Sequence, residues 1–255
     1  MRSGEVHLIL GGGANLLVSD AGVRGMVLAL GPEFGLMEIK AGSEGLARVE
    51  AGAAMGLTRL AGMAMKSSLS GLEFGFGIPG LLGGALRMNA GARGGEIKDI
   101  TESISVVTKE GRLERIMARD AGFGYRSSAF PEGCVITGAT LLLREGSGDR
   151  IHSTMRAGYL ERKASQPLDL PSAGSVFRNP PGDFAGRLIE TCGLKGERIG
   201  DAMVSPRHAN FIVNMGAALA NDVYRLMRLV EKRVSGQSGV KLEREIKLAG
   251  VFDEE

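Results

Sequence analysis

The sequence has 255 residues, with 31 basic and 29 acidic side chains for a net charge of +2, and it is 44% hydrophobic and 24% charged. This is a globular composition with enough apolar material for one large domain or two small ones, and like charges form no block of the kind that marks a nucleic-acid or anionic-membrane binder. Forty glycines and 8 prolines make 48 of 255 residues, about 19%, below the roughly 25–30% of low-complexity chains, so the glycine excess belongs to a folded protein.

In chain order, Met1–Leu10 reaches a glycine run before any signal-type apolar stretch develops, and no run of 18 apolar residues follows, so a soluble, cytoplasmic protein is expected. Short apolar runs predict strands over Val6–Leu10, Met26–Leu30, Leu46–Glu50, Ile104–Thr108 and Val135–Leu143. Between them a helix is expected from Met55 to about Lys66, where Leu57, Leu60, Ala61, Ala64 and Met65 recur at three- and four-residue spacing. The polar, turn-rich Arg144–Arg150 is the candidate boundary, which gives domains of residues 1–145 and 146–255. Cys134 and Cys192 lack CxxC or histidine spacing, which suggests neither a disulfide framework nor a metal site.

The second domain is expected to hold a helix near Phe184–Cys192 and a longer one over Ala220–Val234, with Val223, Leu226, Met227, Val230 and Val234 on one face. Val240–Leu248 then alternates as a strand, turning Val240, Leu242, Ile246 and Leu248 one way and Glu243, Glu245 and Lys247 the other.

Glycine is concentrated in Gly11–Gly13 and in residues 71–95, where nine occur. Gly75-Phe76-Gly77-Ile78-Pro79-Gly80 matches GxGxxG, but the polar residues before it make no strand and Pro79 removes an amide, so a Rossmann unit does not fit. Gly11–Asn15 leads to no Gly-Lys-Ser/Thr and is no P-loop. Two glycine loops whose backbone amides converge on a phosphate or pyrophosphate remain, a site that needs no basic patch.

Leu10-Gly11-Gly12-Gly13-Ala14-Asn15-Leu16-Leu17-Val18-Ser19-Asp20 and Gly77-Ile78-Pro79-Gly80-Leu81-Leu82-Gly83-Gly84-Ala85-Leu86-Arg87-Met88-Asn89-Ala90-Gly91-Ala92 closely resemble the FAD-binding loops of the MurB family, the UDP-N-acetylenolpyruvoylglucosamine reductases. The resemblance continues, in the family's order, through Tyr125–Ser128, Gly174–Pro180, Ser205–Asn214 and Leu242–Ile246. It implies an α+β fold, with a PCMH-type FAD-binding domain followed by a smaller α+β substrate-binding domain. It also implies a monomeric enzyme of peptidoglycan synthesis in which NADPH reduces FAD and the flavin passes hydride to UDP-N-acetylglucosamine enolpyruvate, giving UDP-N-acetylmuramate.

By that resemblance the cofactor is held by Gly11, Gly12, Gly13, Ala14, Asn15, Leu16, Gly77, Ile78, Pro79, Gly80, Gly83, Gly84, Asn89 and Gly91. Ser175 is the expected acid, assisted by Arg126 and Glu245, with Tyr125 and Asn179 as substrate contacts. Taken singly, Ser175 beside Gly174 reads as a turn residue, Arg126 as a surface cation and Glu245 as the solvated side of a strand; their joint occurrence in matching motifs makes the difference. His208 reads equally as a donor to the substrate or as a structural residue. The 49-residue spacing from Arg126 to Ser175 (175 minus 126) resembles the compact subclass without the inserted loop. The expected site is a cleft between the two domains.

Three features depart from the family's pattern: Ala14 where serine is usual, Arg93 where an aromatic is usual, and only ten residues before Gly11. The last suggests a fragment or a misassigned start. Two competing readings follow: a non-catalytic remnant that binds nucleotide or a partner, and a different FAD-dependent oxidoreductase sharing the same FAD domain.

Overall fold

Strand alternation and helical periodicity in this chain feed two separate apolar cores. The computed structural model describes residues 6–42 and 45–253; the reading of residues 1–5 as free of a signal segment lies outside these. The fold is α+β, and the described residues form two compact units: one takes in residues 6–12 and 26–161, the other 13–25 and 162–253.

The first unit is organised on a six-stranded antiparallel sheet in the order Leu113–Met117, Thr101–Val107, Val135–Glu145, Leu46–Gly52 and Met37–Ala41, with Leu69–Ser70 pairing the end of the long third strand. Alternation on Leu46–Gly52 buries Ala47, Val49 and Ala51 and leaves Arg48 exposed, where it forms a bidentate pair with Glu102 on the neighbouring sheet surface. Helix α1, Leu57–Lys66, turns Leu57, Leu60, Ala61 and Ala64 into the same core. Full burial of the two leucines contributes roughly 1.5–3 kcal/mol each. Gly56 caps this helix, which therefore starts two residues after the expected Met55, and the Leu57 amide donates to the Gly80 carbonyl at 3.0 Å. A second glycine-rich segment is thus fastened to the start of α1, and the short helix α2, Leu82–Arg87, follows it.

The expected boundary after residue 145 is displaced. Helix α3, Gly148–Ser165, begins inside the polar Arg144–Arg150 segment, and its Ile151 and Met155 are buried in the first unit's core, which carries that unit to residue 161. The helix is polar nearly all round, with only Ile151, Met155 and Gly158 buried, so its apolar stripe is too thin to read from the sequence.

In the second unit a four-stranded antiparallel sheet runs Ser172–Ser175, Phe211–Asn214, Ala202–Val204, Arg198–Ile199. Helix α4, Ala185–Thr191, and helix α5, Ala220–Ser238, share a core with it: Leu188 and Ile189 from α4, Leu226, Met227, Val230 and Val234 from α5, and Val204 and Ile212 from the sheet. The expected strand over Val240–Leu248 is corrected. Gly239, at φ +71, ends α5, and the chain then runs irregularly, with an isolated bridge from Arg244 to Phe177, before a true strand forms at Lys247–Ala249. The regular ladder fails because two successive amides, Glu245 at 2.8 Å and Ile246 at 3.5 Å, address one carbonyl, that of Val176. The strand that does form pairs in parallel with Leu16–Val18.

This parallel pair draws the segment after the first glycines into the second unit, and Asp20 completes the attachment. Its two carboxylate oxygens accept the amides of Ala220 (2.8 Å) and Asn221 (3.0 Å), the first amides of α5, from 200 residues away in sequence. A side-chain oxygen on the orphan amides of a helix start is a capping interaction worth about 1 kcal/mol. Asp20→Ala is expected to lower stability in urea or thermal unfolding by about 1–2 kcal/mol, and Asp20→Asn to recover part of it.

Candidate functional site

Gly11, Gly12 and Gly13 are exposed, and no atom lies within 4 Å of where a Cβ on Gly11 or Gly13 would stand. Gly12 differs. A Cβ there would lie 2.9 Å from the Gly80 Cα, so the two glycine segments approach each other backbone to backbone. Gly80 itself sits at φ +112, a conformation closed to side-chain-bearing residues. Gly84, at the start of α2, again has open space beside its Cα. Bare backbone that meets bare backbone and borders open space fits a group that must be approached at main-chain distance, such as a dinucleotide pyrophosphate.

The amides of the second segment are not all available to such a ligand. Gly77 donates to Thr58 Oγ1 (3.2 Å), Leu82 to the Met55 carbonyl (2.8 Å) and Gly83 to the Ala53 carbonyl (2.9 Å). Thr58 also donates its hydroxyl to the Ile78 carbonyl at 3.3 Å, so this one side chain on α1 clasps Gly77 and Ile78 ahead of the exposed Pro79. Sequence reasoning missed Thr58, because a threonine in the first turn of a helix carries no distinctive signal. Arg93 leaves the short hairpin that begins at Gly91 and donates to the Gly158 carbonyl on α3 at 2.6 Å. Tyr159 of α3 lies where a Cβ on Gly77 would come, 3.2 Å away.

Asn89 is fully buried. Its amide hydrogens go to the Gly124 carbonyl (2.9 Å) and to Glu96 Oε2 (3.1 Å), and its Oδ1 accepts the Lys98 amide (3.2 Å). The carboxamide of Asn89, a residue expected in the cofactor set, is thus committed to partners within the protein. Gly124 opens a tight turn closed by backbone hydrogen bonds with Ser127 at 3.0 and 3.3 Å, and within it Arg126 takes φ +50. The guanidinium stands 5.5 Å from the centre of the exposed Tyr125 ring. Glu96 belongs to the same cluster: Lys98 at 2.5 Å is the main cause of its lowered carboxyl pKa, with smaller contributions from Asn89 and Arg126.

In the second unit Ser175 ends the strand Ser172–Ser175 and pairs with Phe211. The chain after it is tightly held: Asn210, buried, accepts the Phe177 amide on Oδ1 (3.0 Å) and donates to the Phe177 carbonyl (2.8 Å). Glu245 is half-buried, and its amide donates to the Val176 carbonyl at 2.8 Å, one residue from Ser175. Ala14 lies on the same side, its carbonyl oxygen 3.9 Å from where a Cβ on Gly174 would be. Asn15 joins this group, donating from Nδ2 to the Glu245 carbonyl at 3.1 Å, while Leu16 opens the strand paired to Lys247. The second unit thus brings Ser175 and Glu245 together beside Ala14 and Asn15; Arg126 and Tyr125 belong to the first unit.

Asn179, expected to contact substrate, is exposed, and its Oδ1 accepts the Ala185 amide at 3.0 Å at the start of α4. Asp183 supports the same helix start. The Arg187 guanidinium, and then the Phe184 amide, pull its carboxyl down to about 2. In His208 the Nδ1 accepts the Asn210 amide at 3.2 Å, and the ring packs edge-on against Phe211 at 4.9 Å between centroids. Burial pushes its pKa below the ordinary histidine value.

Among the described residues no helix is long and apolar enough to cross a membrane. The chain matches two family models, the FAD binding domain over residues 2–117 and the UDP-N-acetylenolpyruvoylglucosamine reductase C-terminal domain over residues 166–249. It is 46% identical over 243 residues to UDP-N-acetylenolpyruvoylglucosamine reductase 2 of Symbiobacterium thermophilum, covering 95% of this chain and 77% of that one. It is 48% identical over 247 residues to the reductase of an Anaeromyxobacter species, covering 97% and 76%. The crystal structure of the enzyme from Thermus caldophilus superposes with a TM-score of 0.84 at 40% identity, over 97% of this chain and 87% of that one.

The His208 geometry has a pH signature. Because its pKa is lowered on folding, the unfolded chain binds the proton first, so the contribution of neutral His208 is full above about 6.5 and is lost as pH falls below that value. Urea unfolding is expected to show stability falling by at most about 1.4 kcal/mol per pH unit just below that point, and His208→Phe to flatten the slope. A slope unchanged in His208→Phe assigns the effect to other groups.

Proposed function

Because this chain belongs to the UDP-N-acetylenolpyruvoylglucosamine reductase family, we propose that it reduces UDP-N-acetylglucosamine enolpyruvate to UDP-N-acetylmuramate, a step in peptidoglycan precursor synthesis. FAD, when bound, would supply the redox chemistry that links NADPH oxidation to reduction of the enolpyruvyl double bond. The observation that carries the reading is the combination, in one chain, of two glycine segments in backbone contact at Gly12 and Gly80 with a separate Ser175–Glu245 pair held by the Val176 carbonyl.

Each residue then has a physical task. The Gly11–Gly13 backbone and the Gly80–Leu81 backbone, ahead of the committed Leu82 and Gly83 amides, present main-chain dipoles to the pyrophosphate, which explains how a chain of net charge +2 can hold a dinucleotide. Ala14 in place of serine removes one possible hydroxyl contact, worth about 0.5–1.5 kcal/mol. Addition of hydride to the terminal alkene carbon leaves negative charge on the adjacent carbon and its carboxylate. The Arg126 guanidinium stabilises that charge, and Tyr125 shields one face of the guanidinium. The Ser175 hydroxyl then donates its proton to the carbon. A serine hydroxyl is far too weak an acid in isolation, so the developing carbanion must be the driving base and the neighbouring Glu245 must assist the transfer. Asn179 contacts the substrate from the start of α4. In this reading the enzyme works as a monomer in the cytoplasm.

Purified protein is expected to show flavin absorbance in the visible, and to oxidise NADPH faster when the enolpyruvyl substrate is present; a protein that stays colourless and inactive with added FAD overturns the reading. Ser175→Ala is expected to preserve reduction of the flavin by NADPH while substrate reduction falls by about 10²–10⁴-fold in stopped-flow measurements. Equal loss in both half-reactions counts against Ser175 as the acid. Gly12→Ala places a methyl against the Gly80 backbone and is expected to raise the flavin Kd at least about tenfold in fluorescence titration.

A further inference from the structure

Asn15 follows the first glycine run and Asn89 lies within the second glycine-rich segment, and both belong by resemblance to the cofactor set. Their carboxamides do something else. We propose that Asn15 and Asn89 are positioning residues for substrate reduction, each tying a cofactor loop to the backbone that carries a catalytic side chain: Asn15 to Glu245, and Asn89 to the turn of Arg126. The proposal rests on the reductase reading above.

The first joint is a bracket. The Asn15 Nδ2 donates to the Glu245 carbonyl at 3.1 Å, and the Asn15 carbonyl accepts the Lys247 amide at 3.0 Å. On its other side Glu245 donates its own amide to the Val176 carbonyl at 2.8 Å, next to Ser175. Glu245 is therefore fixed at both its backbone amide and its backbone carbonyl, between the first glycine loop and the serine strand. A planar carboxamide held at one end by its own main chain transmits direction as well as distance, so a shift of the loop at Ala14–Asn15 moves the Glu245 backbone with it. The irregular conformation at 243–246 has no continuous ladder to hold it otherwise.

The second joint is built differently and serves the same end. Asn89 has no exposed surface, so ligand contact through its side chain is closed to it. One amide hydrogen holds the Gly124 carbonyl at 2.9 Å, at the base of the four-residue turn. Arg126 in that turn takes φ +50, which costs a residue with a side chain about 1–2 kcal/mol and so needs an external restraint to persist. The other hydrogen holds Glu96 Oε2 at 3.1 Å, the carboxylate that also senses Arg126. Removing the carboxamide frees the turn and the carboxylate together.

A cofactor contact and a positioning residue are separated by which half-reaction suffers. Asn15→Ala, Asn15→Asp and Asn89→Ser are prepared in the full chain, saturated with FAD at a concentration set by each variant's measured Kd, and both half-reactions are followed by stopped-flow absorbance. Substrate reduction is expected to slow at least about tenfold more than flavin reduction in every variant. Asn15→Asp is further expected to recover substrate reduction as the pH is lowered from neutral, because its protonated carboxyl regains a donor to the Glu245 carbonyl; Asn15→Ala is not. Equal slowing of both half-reactions, or a defect abolished by saturating flavin, makes these residues cofactor contacts and overturns the proposal. So does loss of cooperative thermal unfolding in all three variants, which makes them purely structural. If wild-type protein itself neither binds flavin nor reduces the enolpyruvyl substrate, the reductase reading fails; if it does both and the variants show no split, the positioning proposal alone fails.

Discussion

The parallel pairing of Leu16–Val18 with Lys247–Ala249 joins segments some 230 residues apart in sequence, and most of what is distinctive in this chain follows from it. Two three-residue strands in isolation are a weak ladder. Here the ladder is extended at one end by the Asn15 contacts to Glu245 and Lys247, and at the other by Ser19, whose hydroxyl donates to the Val251 carbonyl at 2.5 Å, and by Asp20 on α5. Together these place residues 13–25 in the second unit, while Gly12 remains with the first. The backbone consequently passes from one unit to the other inside the glycine run, the one stretch of the segment where no side chain restricts the path.

A second constraint is electrostatic. The near-neutral chain has no long run of like charge in its sequence, so main-chain dipoles take a larger share of pyrophosphate recognition. Dipoles act over short range, so the backbone must come close, and closeness excludes Cβ atoms. That requirement separates glycines that border open space, Gly11, Gly13 and Gly84, from those required by packing, as at Gly12, where a Cβ would lie 2.9 Å from the Gly80 Cα. Gly83 belongs to the second kind: a Cβ there would meet the Ala53 Cβ at 3.0 Å, and its amide is already donated to the Ala53 carbonyl.

The legible part of the fold was the part with a strong apolar period. The α1 leucines, the α5 face from Leu226 to Val234 and the alternation through Leu46–Glu50 each put buried residues where the sequence placed them, because each pattern faces a single core. Helix α3 was invisible for the opposite reason, with three buried positions in 18 residues, and the expected domain boundary moved with it. The strand expected over Val240–Leu248 shows another limit. Its alternation is real in Leu242 and Ile246, which pack on the second core, yet alternation alone cannot reveal that two successive amides converge on the Val176 carbonyl and break the ladder. For the site, motif resemblance assigned roles by segment. It could not see that the Asn89 carboxamide is wholly internal, or that Thr58 and Asn210, from other elements, hold the segments in place.

Motifs of this kind therefore combine several physical demands under one label. In Leu10–Asp20 the glycines answer to backbone approach, Asn15 to a carbonyl and an amide near the far end of the chain, Leu16–Val18 to a parallel ladder, and Asp20 to the orphan amides of α5. Only the first demand concerns a ligand directly. The others determine where the glycines are presented, and they do so through contacts with Ala220, Asn221, Glu245 and Lys247–Ala249. A substitution at Asp20 or in the Lys247–Ala249 strand thus reaches the cofactor loop through the fold, whereas a substitution at Gly12 reaches it through space. The two kinds differ in what they disturb: the first lowers stability and changes loop position together, and the second closes the approach while leaving the ladder and the helix cap intact.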